Sequence, residues 1–65
     1  METPIIWRET TTVFKGRVVH GSYSVENGTV KVRTADGEKA TPLRGTNAIW
    51  AAQRLLRELA AEGKA

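Results

Sequence analysis

Sixty-five residues with no cysteine and a single histidine, His20, leave room for one small domain and exclude disulfides and thiolate metal sites. A zinc or iron centre would need carboxylates to converge on His20, and none cluster in sequence, so neither a metal nor a cofactor is expected. Ten Lys and Arg against seven Asp and Glu give a net charge of +3, a basic bias that suits a polyanion without requiring one.

The opening METPIIWRE lacks the pattern of a signal peptide, and no stretch approaches the roughly 20 apolar residues of a membrane span. A soluble cytoplasmic protein with no membrane partner is expected. Residues 1–8 read as an amino-terminal segment carrying Ile5, Ile6 and Trp7. The β-branched run Thr10 to Val13 then begins the first strand, starting as early as Glu9.

Three two-residue turn candidates follow, His20-Gly21, Asn27-Gly28 and Asp36-Gly37. Asn-Gly and Asp-Gly are the strongest hairpin signals because a type I′ turn needs positive φ at both central residues. Histidine tolerates that region better than most residues. Turns at these positions pair Val18 with Tyr23, Val25 with Val30, and Val32 with Thr41. One face then collects Phe14, Val18, Tyr23, Val25, Val30, Val32 and Leu43, and the other collects Lys15, Arg17, Ser22, Ser24, Glu26, Lys31, Arg33 and Arg44. Pro42 lacks an amide hydrogen and suits the edge position that the last strand would hold.

Gly45 ends this pattern, and the remainder is helical. Thr46 or Asn47 can cap the first turn, and Gly63 can terminate the helix in the left-handed conformation. Ala48, Ile49, Ala52, Leu55, Leu56, Leu59 and Ala60 form one apolar stripe. The expected fold is α+β, an antiparallel β-meander of three to four strands over 10–44 followed by one C-terminal α-helix over 46–62 packed on one sheet face. All of it forms a single small domain over 1–65.

No catalytic constellation is legible. Ser22 and Ser24 lie near His20 in sequence, which fits a turn histidine beside strand serines, and the glycines mark turns and spell no phosphate loop. An enzyme is not expected. Two surfaces invite a partner. The uncovered sheet face gathers Lys15, Arg17, Lys31, Arg33 and Arg44, with two small serines that let a phosphate backbone approach. Alternatively those cations merely solvate an exposed β surface. Trp50 falls on the polar side of the helix near Arg54 and Arg57. It could be covered by Ile5, Ile6 and Trp7, form a homodimer contact, or stack on a ligand or nucleic acid. Trp7 has the same choices.

A basic sheet followed by one packed helix resembles, in element order, two DNA-binding modules, the plant ethylene-response-factor domain and the arm-binding domain of phage-type integrases. The likeness spans Thr11 to Ala61 and rests on element order, strand length and Arg17 and Arg33, with no shared motif. It implies a sheet laid in the major groove of double-stranded DNA with the helix behind it. Two functions are therefore expected to compete. One is a small basic protein binding double-stranded DNA through Lys15, Arg17, Lys31, Arg33 and Arg44. The other is a protein-interaction or homodimerisation module using Trp7, Trp50, Arg54 and Arg57.

Overall fold

In the computed structural model, which describes residues 6–65, four strands follow one another as an antiparallel meander. They are β1 (Arg8–Phe14), β2 (Arg17–Glu26), β3 (Thr29–Arg33) and β4 (Glu38–Pro42), side by side in that order. The helix α1 (Ala48–Ala61) packs across one face and touches all four. The architecture is the expected one. Its first strand reaches back into the amino-terminal segment as far as Arg8, and its helix is shorter at both ends than 46–62. No helix among the described residues is long and apolar enough to cross a membrane.

The first hairpin corrects the sequence reading. Lys15 and Gly16 carry φ of 51° and 75°, the positive pair a type I′ turn needs. From that turn β1 pairs with β2 from Phe14↔Arg17 to Arg8↔Tyr23. The expected turn at His20-Gly21 does not form, and both residues lie inside β2. A lysine in the left-handed region costs about 1–2 kcal/mol. In return the whole Thr-rich run joins a ladder of seven cross-strand pairs, and Gly21 is released for a place where only its size matters.

Once Arg17–Glu26 is a single strand, side-chain alternation puts Val18 and Tyr23 on opposite faces. Val19 takes the core position expected for Val18 and is buried, while Val18 stands 57% exposed on the open face opposite Val13. Arg17 moves the other way. It shares the helix side with Phe14, and its Nη2 donates to the Ala65 carbonyl at 3.1 Å.

The second hairpin, at Asn27-Gly28, matches expectation, with Val25↔Val30 and Tyr23↔Val32 sharing the helix side. The third does not. Val32 pairs with Lys39 and Val30 with Thr41, so a four-residue loop replaces the two-residue turn. Thr34 is the reason: its Oγ1 accepts from the Asp36 and Gly37 amides at 3.3 and 3.1 Å, and its own amide donates to the Gly37 carbonyl at 2.8 Å. This hydroxyl-closed loop competes successfully with a type I′ turn at Asp36-Gly37. The register slips by two, so Thr41 keeps its expected face and Lys39 joins it.

The helix begins where Asn47 Oδ1 accepts from the Ile49 and Trp50 amides at 2.9 and 3.1 Å. It ends in a Schellman closure, Gly63 donating to the Ala60 carbonyl and Lys64 to that of Leu59, with Gly63 at φ 76°. Thr34 Oγ1 also donates to the Lys64 carbonyl, tying the helix end to the β3–β4 loop. Ala51, Ala52, Leu55, Leu56, Leu59 and Ala60 are buried against Val19, Val30 and Val32. Ile49, placed on the apolar stripe by periodicity, is exposed in the first turn, and Ala51 is buried in its stead. A helical wheel does not say where along its axis a helix meets the sheet.

Leu56 of the helix lies directly against the backbone of Gly21. A Cβ there would lie 2.9 Å from Leu56 Cδ1 and 3.2 Å from the Arg33 carbonyl oxygen. Gly21→Ala is therefore expected to destabilise the fold by about 1–3 kcal/mol through overpacking, read as a lower urea midpoint. An unchanged midpoint would contradict this packing.

Candidate functional site

Two surfaces are available, one on each side of the sheet. On the open face, strand alternation assembles Glu9, Thr11 and Val13 from β1, and Val18, His20, Ser22, Ser24 and Glu26 from β2. Lys31 and Arg33 come from β3 and Glu38 from β4. At its centre the Arg33 guanidinium lies 4.0 Å from the Trp7 ring centroid, and its Nε is 3.5 Å from Glu38 Oε2. Lys31 Nζ reaches the other Glu38 oxygen at 3.6 Å. Extending the β1–β2 ladder by one residue sets Trp7 opposite Ser24, a serine only 5% exposed on a face without a helix.

The five cations expected to form one basic patch are not brought together. Lys31 and Arg33 are neighbours on the open face, Lys15 sits at the hairpin tip, and Arg17 is on the helix side. Arg44 is in the turn after β4, at φ 50°. On the face itself two cations stand among three carboxylates, Glu9, Glu26 and Glu38. The sequence reading missed Glu38 because the two-residue turn left it unpaired with β3. A shallow depression of about 520 Å³ beside Glu9, His20, Ser22 and Thr34 shares this face. No hydrogen bond joins Ser22 to His20 among the described residues, nor do three His, Cys, Asp or Glu side chains converge there or elsewhere among them.

The residues expected at a protein interface also separate. Trp7 lies on the open face against Arg33, so it does not cover Trp50; Ile5 is outside the described residues. Arg57 leans toward β1, its Nη2 3.5 Å from Thr12 Oγ1. Trp50 and Arg54 stay together, the guanidinium 5.8 Å from the ring centroid. They line a groove of about 250 Å³ between α1 and β4, whose walls are Ala40, Thr41 and Pro42 on the strand and Ala51, Leu55 and Glu58 on the helix. Trp50 is 55% exposed there.

No family model, curated protein or solved structure matches the chain.

Ion pairs organise the charge along and beside the groove. Glu58 is 3.5 Å from both Lys39 and Arg54, and Glu62 pairs with Lys39 and, at 3.7 Å, with Lys64. The hydrogen bond between Lys39 and Glu62 raises the lysine above its ordinary value and holds the carboxyl below its own. The depressed carboxyl contributes stability that is present above the ordinary carboxylate range and lost as pH falls through the lowered value. The raised lysine contributes stability that is present below the ordinary lysine range and lost as pH rises through the raised value. Both groups are well solvated, so the effect is small and screened by salt. Urea midpoints measured across pH at low salt should thus fall less steeply on the acid side in Lys39→Gln than in the parent. Equal acid limbs would contradict the pairing.

Proposed function

We propose that this protein is a non-enzymatic protein-interaction module whose contact surface is the groove between α1 and β4. One observation carries the reading. A tryptophan held rigidly on a helix, more than half exposed and flanked by an arginine, lines a concave seam beside an edge strand. Tryptophan and arginine are the side chains that most often dominate protein interfaces, because each offers large area and directional contacts at low entropic cost.

Double-stranded DNA on the open face is the second reading, favoured by the ordered Arg33 between Trp7 and Glu38 with Lys31 beside it. Its strength is limited by the same geometry. With Lys15 added, no more than about three phosphates are neutralised, so the logarithm of affinity would fall with the logarithm of salt at a slope of about −2.7 at most.

Panning a random-peptide display library against the immobilised protein, with a random-sequence DNA duplex titrated in parallel at two salt concentrations, separates the two. The expected result is a set of enriched peptides that Trp50→Ala no longer retains, while the Lys31→Glu/Arg33→Glu double variant retains them. Peptides held equally by Trp50→Ala would contradict the proposal. Micromolar, salt-sensitive duplex binding lost in the double variant, with no peptide enrichment, would replace it with the DNA reading.

A further inference from the structure

The two edges of the sheet differ, and the difference bears on what the groove takes. Backbone groups of a strand point alternately toward one neighbour and the other. In β1, Phe14 pairs with Arg17 across the two-residue turn, so Glu9, Thr11 and Val13 present their amides and carbonyls outward. That edge is stopped: Gln53 Nε2 donates to the Thr11 carbonyl at 3.3 Å, and Arg57 caps the neighbouring Thr12 hydroxyl. Just after β4, Leu43 donates at 2.8 Å to the carbonyl of Gly28, the turn residue before β3, so by alternation Thr41 and Lys39 also face β3. Glu38, Ala40 and Pro42 then present their backbone groups outward. No side chain among the described residues hydrogen-bonds to the β4 backbone. Pro42 occupies an outward position, where its missing amide hydrogen breaks no ladder bond.

An unpaired strand edge is a row of donors and acceptors that another extended chain satisfies. Here the row ends at Pro42 and runs beside a groove lined by Trp50, Leu55 and Arg54. Along that seam the three cations Lys39, Arg54 and Lys64 share the two carboxylates Glu58 and Glu62, and Arg44 follows two residues after Pro42. Resting on the protein-contact reading above, we infer that the groove takes an extended acidic peptide, which adds to β4 as a fifth strand. Ala40 supplies the central amide and carbonyl. Alternate side chains of the peptide enter the groove, apolar ones against Trp50 and Leu55 and a carboxylate toward Arg54. A second copy of this chain fits less well, since pairing β4 with itself sets one cationic seam beside another.

The probe is a short synthetic peptide, Thr-Val-Thr-Glu-Thr-Val-Thr, with a second in which lysine replaces the glutamate. Titration of the full chain, followed by backbone amide NMR, is expected to shift Ala40 and the Trp50 indole and to slow hydrogen exchange of the Ala40 amide. The lysine peptide is expected to bind about tenfold more weakly. Ala40→Pro leaves every β3–β4 bond in place and removes the outward donor, so it should weaken the glutamate peptide about tenfold or more. Its dispersed amide spectrum reports that the fold is kept.

If Trp50→Ala loses the peptide and Ala40→Pro does not, strand addition is overturned and the contact surface stands. If neither variant changes binding, or the glutamate peptide does not bind while display selects other peptides at Trp50, the inference is overturned. Protection of the Ala40 amide in the free protein at rising concentration would overturn it in favour of self-pairing.

Discussion

The contact on which this small protein depends is the flush approach of Leu56 to the bare backbone of Gly21. A 65-residue chain has few residues with which to make a core, and among the described residues that core is three leucines, three valines and three alanines. Such a core excludes water only if helix and sheet lie close together. Closeness requires small residues where the elements cross. Ala51, Ala52 and Ala60 supply them on the helix, and Gly21 supplies the extreme case on the strand. Gly21 can serve there only as an interior strand residue, so the chain must turn earlier, at Lys15-Gly16.

From that follow both the register and the distribution of charge. The early turn makes β2 ten residues long and carries Arg17 to the helix side, where it meets the carbonyl of Ala65. It leaves Val13 and Val18 as an exposed cross-strand pair on the open face. Glu38, brought level with Arg33 by the Thr34-closed loop, neutralises much of what remains of the basic patch. The surplus positive charge lies instead on the helix side, through Arg8, Arg17, Lys39, Arg54, Arg57 and Lys64 against Glu58 and Glu62. At the seam beside Trp50, Lys39, Arg54 and Lys64 stand against Glu58 and Glu62, whereas the open face sets Lys31 and Arg33 among Glu9, Glu26 and Glu38.

Much of the fold was legible because several local signals agreed. Asn27-Gly28 combined turn chemistry with alternation on both sides, and Asn47 and Gly63 bracketed an apolar stripe of helical period. The polar-side position of Trp50 also followed from periodicity alone. Two interactions outside the local turn signals decided the other registers. A type I′ turn demands glycine at its second position, and that demand is met as well by Lys15-Gly16 as by His20-Gly21. Residue preference at the first position, worth only a kilocalorie or two, was outweighed by long-range packing of Leu56. Similarly, Thr34 lies outside the Asp36-Gly37 pair whose turn it displaces, and its hydroxyl acts on amides two and three residues away. The groove was not legible because it joins a strand register to a helix direction, and neither is a property of one segment.

The whole architecture stands on the chain turning at Lys15-Gly16 and not at His20-Gly21. The first hairpin makes Val13↔Val18 a non-hydrogen-bonded pair, in which the α-carbons approach to about 4.5 Å and the α-protons are in close contact. A turn at His20-Gly21 would put the corresponding contact between Val18 and Tyr23. A nuclear Overhauser measurement decides between them. A strong α-proton contact between Val13 and Val18 is the expected result, and one between Val18 and Tyr23 would contradict the register and the charge distribution built on it.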